Sequence, residues 1–566
     1  MGIYMQENGG RNPAQSEEYA DFIIKYNQNV YGPVEELSEL EFQILNDNFA
    51  IAHLPLSLVG NLEINSYTYN AVPKCYTYMD LESLGASGIT RLQNHPYLNL
   101  KGRGTAIAVI DSGIDYTNPV FLNGNRTKIM RLWDQSLEGD EDQAVPFGRE
   151  YTNEEIDLAL SQSSPLEIVP STDTNGHGTY LAATAAGSPN LPENFSGAAP
   201  EAVLIIVKLK RAKKYLRDFY LLPEDAQVYQ ENDIMSGVYY AMQAAQRLNM
   251  PLSICIGLGS SQGVHMGDGP LSQYLDSATR FPHNTVNVAG GNEGNARHHH
   301  MGEIEEQKKE EVELRVGEDE TGFCMEFWGI APAFFSLSLR SPTGEELEIS
   351  TAGGTGMQVL SYIFVETKIE VSYVSMERQS GNTLVFFRFL NPASGIWKFT
   401  VETRNDRRGV FHMWLPVQPL VSGETYFLES TPYYTITNPG DASDVITWTA
   451  YNYRDESLYL QASRGYTPGG IVKPDLAAPG VEIRIPLLNG QFAATSGTSL
   501  AAAYGAGATA LLFEWAIVRK NAPYFNGTGA KGFLIRGARR KETLTYPNPE
   551  WGYGILDLYH TFEILS

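Results

Sequence analysis

Three residues of this chain have the chemistry to cut an amide bond together. Asp111 closes the apolar run of VIDSGID, His177 sits in TNGHGTYLAATAAG, and Ser499 sits in SGTSLAAAYGAGATALL. Attack on an unactivated amide needs a hydroxyl nucleophile and an imidazole to take its proton. It also needs a buried carboxylate to hold that imidazole in one tautomer and orientation. Each motif alone says little, since a strand-end aspartate is often an N-cap and a glycine-flanked histidine is often a turn residue. Their combination says more. Each reactive residue stands at an element boundary, beside glycines that allow close backbone approach, and small residues suited to buried helices follow both His177 and Ser499.

The elements that must position them can be read from the apolar pattern. TAIAVIDSG is a continuous apolar run, as in a central strand of a parallel sheet covered on both faces. AVLIIVKL (202–209), LSICIGL (252–258) and TVNVAGGN (285–292) are runs of the same kind, and IMSGVYYAMQAAQRLNM (234–250) has helical periodicity. Their alternation predicts an α/β domain with a doubly wound, mainly parallel sheet and a site at its C-terminal strand ends. This pattern occupies 81–300 and resumes over 433–566. Residues 1–80 read as a small α+β unit. In it SEEYADFIIKYN has helical spacing at Tyr19, Phe22, Ile23 and Tyr26, and EFQILNDNFAIAHLPLSLVGNLEIN supplies strands, with Pro55 opening a short helix. LESLGASGITRLQNHPYLNLKGRG reads as a linker. Across 301–432 short strand-like runs such as FFSLSLRS, TLVFFRFLN and IWKFTVET predict an inserted all-β sandwich or jelly roll.

With the order Asp…His…Ser, these motifs resemble the subtilisin family over about 104–300 and 432–560. The resemblance implies a subtilisin-like fold and a serine endopeptidase acting on protein or peptide substrate through an acyl-enzyme. It implies an oxyanion hole shared by the Ser499 backbone amide and Asn292, in VAGGNEGN. It also implies that IGLGS (256–260) is the edge that pairs with an extended substrate, with Gly257, Leu258 and Gly259 forming one wall of the primary specificity pocket. KPDLAAPG (473–480) resembles the strand and turn before the nucleophile. There are departures. Ala503 stands where GTSLAAA usually has proline, and Tyr180 ends HGTY where histidine is usual, but neither is a reacting group. GSPNLPENFSG lacks the usual calcium-loop pattern, so no metal is carried over and no cofactor is implied.

The first 80 residues have the size and position of a subtilisin propeptide. As a partner in cis, such a unit would lie with its C-terminal end in the cleft, cut between Pro73 and Gly88; a permanent, uncut subdomain is the alternative. Propeptide, insertion and the tail PNPEWGYGILDL are similar to the clostridial germination proteases of the Csp family. That implies a spore-associated protease activating the precursor of a cortex-degrading hydrolase. A propeptide-locked pseudoprotease that signals by binding, and a general bacterial peptidase unrelated to spores, remain open.

Composition narrows the rest. A net charge of −25 disfavours nucleic-acid partners. Three dispersed cysteines (Cys75, Cys255, Cys324) offer neither a disulfide framework nor metal-ligand spacing. His298, His299 and His300 could not all face one ion from a single strand, so they read as a loop near the cleft. Met1–Pro13 is polar and has no apolar core, giving the expectation of no signal peptide and a cytoplasmic or spore-associated location. No run approaches the roughly 20 apolar residues of a membrane span.

Overall fold

The computed structural model describes residues 12–26, 41–59, 62, 69–78, 87–139, 144–305, 308–349, 354–404, 408–488 and 490–564. Its centre is an eight-stranded sheet. In spatial order the strands are Leu476–Pro479, Ile446–Tyr451, Asn284–Ala289, Leu252–Ile256, Ala106–Asp111, Val203–Lys208, Ile129–Asp134 and Arg149–Thr152. All neighbours run parallel except the last pair. Both faces are covered, and the alternation of strand side chains divides the core in two. Ile107 and Val109 face the helices His177–Ala186 and Thr498–Phe513, whereas Ala106, Ala108 and Ile110 face Glu231–Leu248 and Pro270–Arg280. A strand buried on both faces has no polar positions to spare, which is why these segments read as unbroken apolar runs.

The helix Thr498–Phe513 is buried along its whole length. Extended to Val518, it is long and apolar enough to cross a membrane by composition, with mean hydropathy 1.4. Since 83% of that window is buried inside the protein, it is the central core helix, not a lipid-facing one.

The N-terminal unit corrects the helix expected at residues 16–26. Tyr19–Lys25 is a strand, paired antiparallel with Phe49–Pro55, which also pairs with Glu41–Ile44. Its neighbours Phe22 and Ile23 point to opposite faces and into two different apolar clusters. Burial on both faces gives a strand the doubled apolar residues that imitate helical spacing. Leu56–Val59 is the short helix after Pro55. The segment read as a linker contains a helix, Ile89–Gln93, whose Ile89 and Leu92 join the core of the α/β domain. Of the expected cut region between Pro73 and Gly88, residues 79–86 lie outside the described residues.

Between His299 and Phe427 the chain builds two antiparallel sheets, one of six strands and one of five, that enclose one apolar core. Phe323, Phe327, Phe387, Phe389, Trp397 and Phe399 fill it. A second cluster joins this unit to the rest. Cys324, Trp328, Phe386 and Trp414 meet Phe219, Tyr220 and Val228 of the α/β domain, and Phe22, Tyr69 and Val72 of the N-terminal unit.

Candidate active site

Asp111 ends the central strand and is fully buried. The Ser112 N–H donates to its Oδ1 at 2.8 Å, and His177 Nδ1 lies 2.8 Å from the same oxygen. His177 is the first residue of its helix, reached through Gly176 at φ 91°, a left-handed turn that favours glycine. The next residue must also be glycine, because a Cβ on Gly178 would lie 2.3 Å from the Gly113 carbonyl oxygen. That closeness sets the imidazole against the aspartate.

Ser499 is the second residue of the core helix, and its Oγ lies 3.3 Å from His177 Nε2. An Nδ1–H donated to Asp111 leaves Nε2 as the acceptor facing the hydroxyl, the protonation state a general base needs. Tyr180, the residue that departs from the usual histidine, packs edge-on against the His177 ring at 5.9 Å. Ala503 is buried one turn beyond Ser499, and the helix continues through it.

The remaining expected residues gather around these three. A Cβ on Gly257 would come within 2.9 Å of Ser499 Cβ and 3.0 Å of His177 Cε1, so only glycine fits beside the reacting groups. Asn292 Oδ1 accepts from the Thr498 backbone N–H at 3.2 Å and from Thr498 Oγ1 at 3.0 Å. With the carbonyl end so engaged, the Nδ2–H₂ end is the free donor.

Leu258–Gly259 is an edge strand, and its partner is the chain itself. Cys75–Tyr78 pairs with it antiparallel, Leu258 opposite Tyr78 and Gly259 opposite Thr77. On the other side Tyr229–Gln230 pairs with Tyr76 and Cys75, making a three-stranded sheet with Cys75–Tyr78 in the middle. The sequence reading missed this second edge, which is two residues long and has no motif. The approach to Cys75 is fixed as well. Lys74 Nζ donates to the Tyr69 and Val72 carbonyls at 2.8 Å each, and the Lys74 N–H donates to Glu231 at 3.1 Å.

Among the described residues no group of three or more His, Cys, Asp or Glu side chains could hold a metal ion. The histidine tract is not the cleft loop expected. His299 and His300 begin a strand of the six-stranded sheet, and the three rings take separate partners: Glu293, His412 and Glu310. All three cysteines are free and buried.

A family model for the subtilases matches residues 102–310 and 425–554, more than half of the chain. The chain belongs to the subtilase family. As a subtilase it is a subtilisin-like serine protease, and the unmatched stretch between the two blocks covers most of the two-sheet unit. The structure of the CspB protease of Clostridium perfringens is similar to it at 30% identity, with a TM-score of 0.75 over 85% of this chain and 96% of that one. Among curated proteins, the membrane-bound transcription factor site-1 protease of Mus musculus is 36% identical over 140 residues. That match spans 24% of this subtilase but only 13% of the relative. Subtilisin of Bacillus sp. (strain TA39) is 25% identical over 268 residues, 46% of this chain and 51% of that protein.

Proposed function

We propose that the chain is a serine endopeptidase in which Ser499 is the nucleophile, His177 the general base and acid, and Asp111 the group that orients it. His177 Nε2 takes the Ser499 proton as Oγ bonds to the substrate carbonyl carbon. The charge that develops on the carbonyl oxygen is met by the Ser499 N–H and Asn292 Nδ2. The imidazolium then protonates the leaving amine, and water releases the acyl group by the same steps in reverse roles. Gly257, Leu258 and Gly259 take the substrate backbone as an added strand, with Tyr229–Gln230 on its other side. The observation that carries this reading is one imidazole between two groups, 2.8 Å from Asp111 and 3.3 Å from Ser499.

In this reading the N-terminal unit is a propeptide and the first substrate is the chain itself. Support comes from Cys75–Tyr78, which lies between the two edges a substrate would use. The cut then falls on its C-terminal side, between Tyr78 and Gly88. The two-sheet unit is read as an inserted jelly-roll-like domain. The likeness to the CspB protease supports a place among germination proteases acting on the precursor of a cortex hydrolase, in a spore-associated location.

N-terminal sequencing of the purified chain tests the proposal. A new N-terminus between Met79 and Gly88 is expected in the wild type and absent in Ser499→Ala. Identical full-length chains would instead favour a pseudoprotease that acts by binding. Synthesis confined to vegetative growth would leave a general peptidase and end the germination role.

A further inference from the structure

The histidine tract is the sequence feature that the triad leaves unused, and its first member touches the oxyanion loop. His298 Nδ1 lies 2.6 Å from Glu293 Oε2, and the other carboxylate oxygen accepts the Gln418 N–H at 3.2 Å. The Glu293 N–H donates to Ser463 Oγ at 3.0 Å. Glu293 is 6% exposed and His298 3%. His298 immediately precedes the first strand of the two-sheet unit, and Gln418 follows its strand Gly409–Trp414. The two segments are tied together, for the Leu415 N–H donates to the His298 carbonyl at 2.9 Å. The chain's entry into the unit and the segment after its strand Gly409–Trp414 therefore converge on one buried carboxylate, which directly follows Asn292 in sequence.

We propose that Glu293 and His298 are a positioning pair that fixes the oxyanion loop against the root of the two-sheet unit. The inference rests on Asn292 as oxyanion donor and extends that reading to the groups that hold it. Thr498 fixes the Asn292 side chain. The backbone before it is held as well, since the Gly291 N–H donates to Thr498 Oγ1 at 3.2 Å and the Ser463 N–H to the Gly291 carbonyl at 2.8 Å. The Glu293 carboxylate adds the tie on the far side of Asn292, as a buried acceptor with partners on two separate segments. Oxyanion donors act only when preorganised at the position the charged oxygen will take, and a displacement of about 1 Å can cost about 100-fold in rate. A tie at the next residue is placed to prevent such a displacement. Glu293 and His298 thus act through Asn292 rather than on substrate.

A pair that only stabilises the fold would leave the ratio of transition-state to ground-state binding unchanged; a positioning pair alters that ratio. The full-length chain carrying Glu293→Ala, Glu293→Gln or His298→Asn is compared with wild type against two inhibitors of one peptide sequence. The peptide aldehyde forms a tetrahedral adduct with an oxyanion, and the peptide alcohol does not. Glu293→Ala is expected to lose about tenfold in aldehyde affinity and in kcat, with KM and alcohol affinity unchanged. Glu293→Gln keeps acceptor oxygen and should recover most of the loss. If Glu293→Ala does not fold, His298→Asn is judged by the same ratio. Equal weakening toward both inhibitors, or no change toward either, overturns the pair. A wild type that neither binds the aldehyde nor reacts at Ser499 overturns the protease reading itself, so the two failures are distinct.

Discussion

Two buried aspartate–histidine pairs, alike in geometry, stand in different surroundings. In the α/β domain His177 Nδ1 is 2.8 Å from Asp111 Oδ1; in the N-terminal unit His53 Nδ1 is 2.6 Å from Asp21 Oδ1. Both aspartates are fully buried. Beyond the His177 ring lies a hydroxyl, in a space cleared by Gly257. Around Asp21, Lys213 Nζ at 2.9 Å and Gln230 Nε2 at 2.8 Å come from the α/β domain, so both carboxylate oxygens are engaged across the junction. Burial acts to raise the Asp21 carboxyl, but the charges of Lys213 and His53 outweigh it and hold the group far below the ordinary carboxylate range. The same two side chains thus make a fastener in one place and, in the proposed mechanism, an oriented general base in the other. What separates them is the third group and the room left for a substrate.

The comparison breaks most sharply by rate. Asp111→Asn should lower kcat by about 10,000-fold, since an amide in place of the carboxylate holds the imidazole in the wrong tautomer. His53→Ala should leave the per-site rate within about twofold of wild type, as expected for distant independent sites. Steady-state kinetics on active-site-titrated protein decides between them.

Stability gives the reverse order. Asp21→Asn strands the buried Lys213 ammonium and should cost about 3–5 kcal/mol in denaturant unfolding, while Ser499→Ala leaves no buried charge unpaired and costs far less. The Asp21 contribution is depressed-carboxylate in sign: fully present above about pH 4, it is lost as pH falls below that value. A pH series on wild type and Asp21→Asn should therefore converge in acid.

Asn292→Ala should cost roughly 3 kcal/mol in barrier height, seen as a fall in kcat of about 100-fold or more with little change in KM.

The smallest effect belongs to Glu326, where the two-sheet unit meets the N-terminal unit. Burial pushes its carboxyl up to about 7, against hydrogen bonds from Tyr69, Trp328 and the Gly263 N–H and the charge of Lys74. The unfolded chain loses this proton at about pH 4.3. Between about pH 4.3 and 7 the folded chain alone keeps it, so stability falls as pH rises through that window and then levels. Glu326→Gln should remove that slope and raise Tm at pH 8 by a few degrees.

The same contrast explains what the sequence could reveal. Asp111 and His177 were legible because each carries its requirement beside it, as a strand end or as a left-handed Gly176 and a crowded Gly178, and Ser499 because Gly497 precedes a run of small residues. The parallel strands were legible because burial on both faces leaves unbroken apolar runs. Asp21 and His53 were not, since their meaning comes from Lys213 and from Gln230, 209 residues away. Tyr19–Lys25 was misread for a related reason, as its two faces pack into different clusters that the segment itself does not announce. Tyr229–Gln230 acquires a role only from its pairing with Cys75 and Tyr76. His298 looked like one member of a tract until Glu293 gave it a separate partner.

The central claim is that the pair in the α/β domain activates Ser499 while the pair in the N-terminal unit activates nothing. Phosphonylation by a fluorophosphonate, located by peptide mass spectrometry, tests it directly. The predicted result is a single adduct on Ser499, formed as fast in His53→Ala as in wild type and lost in His177→Ala. No adduct on Ser499 in wild type, or an adduct that survives His177→Ala undiminished, would contradict it.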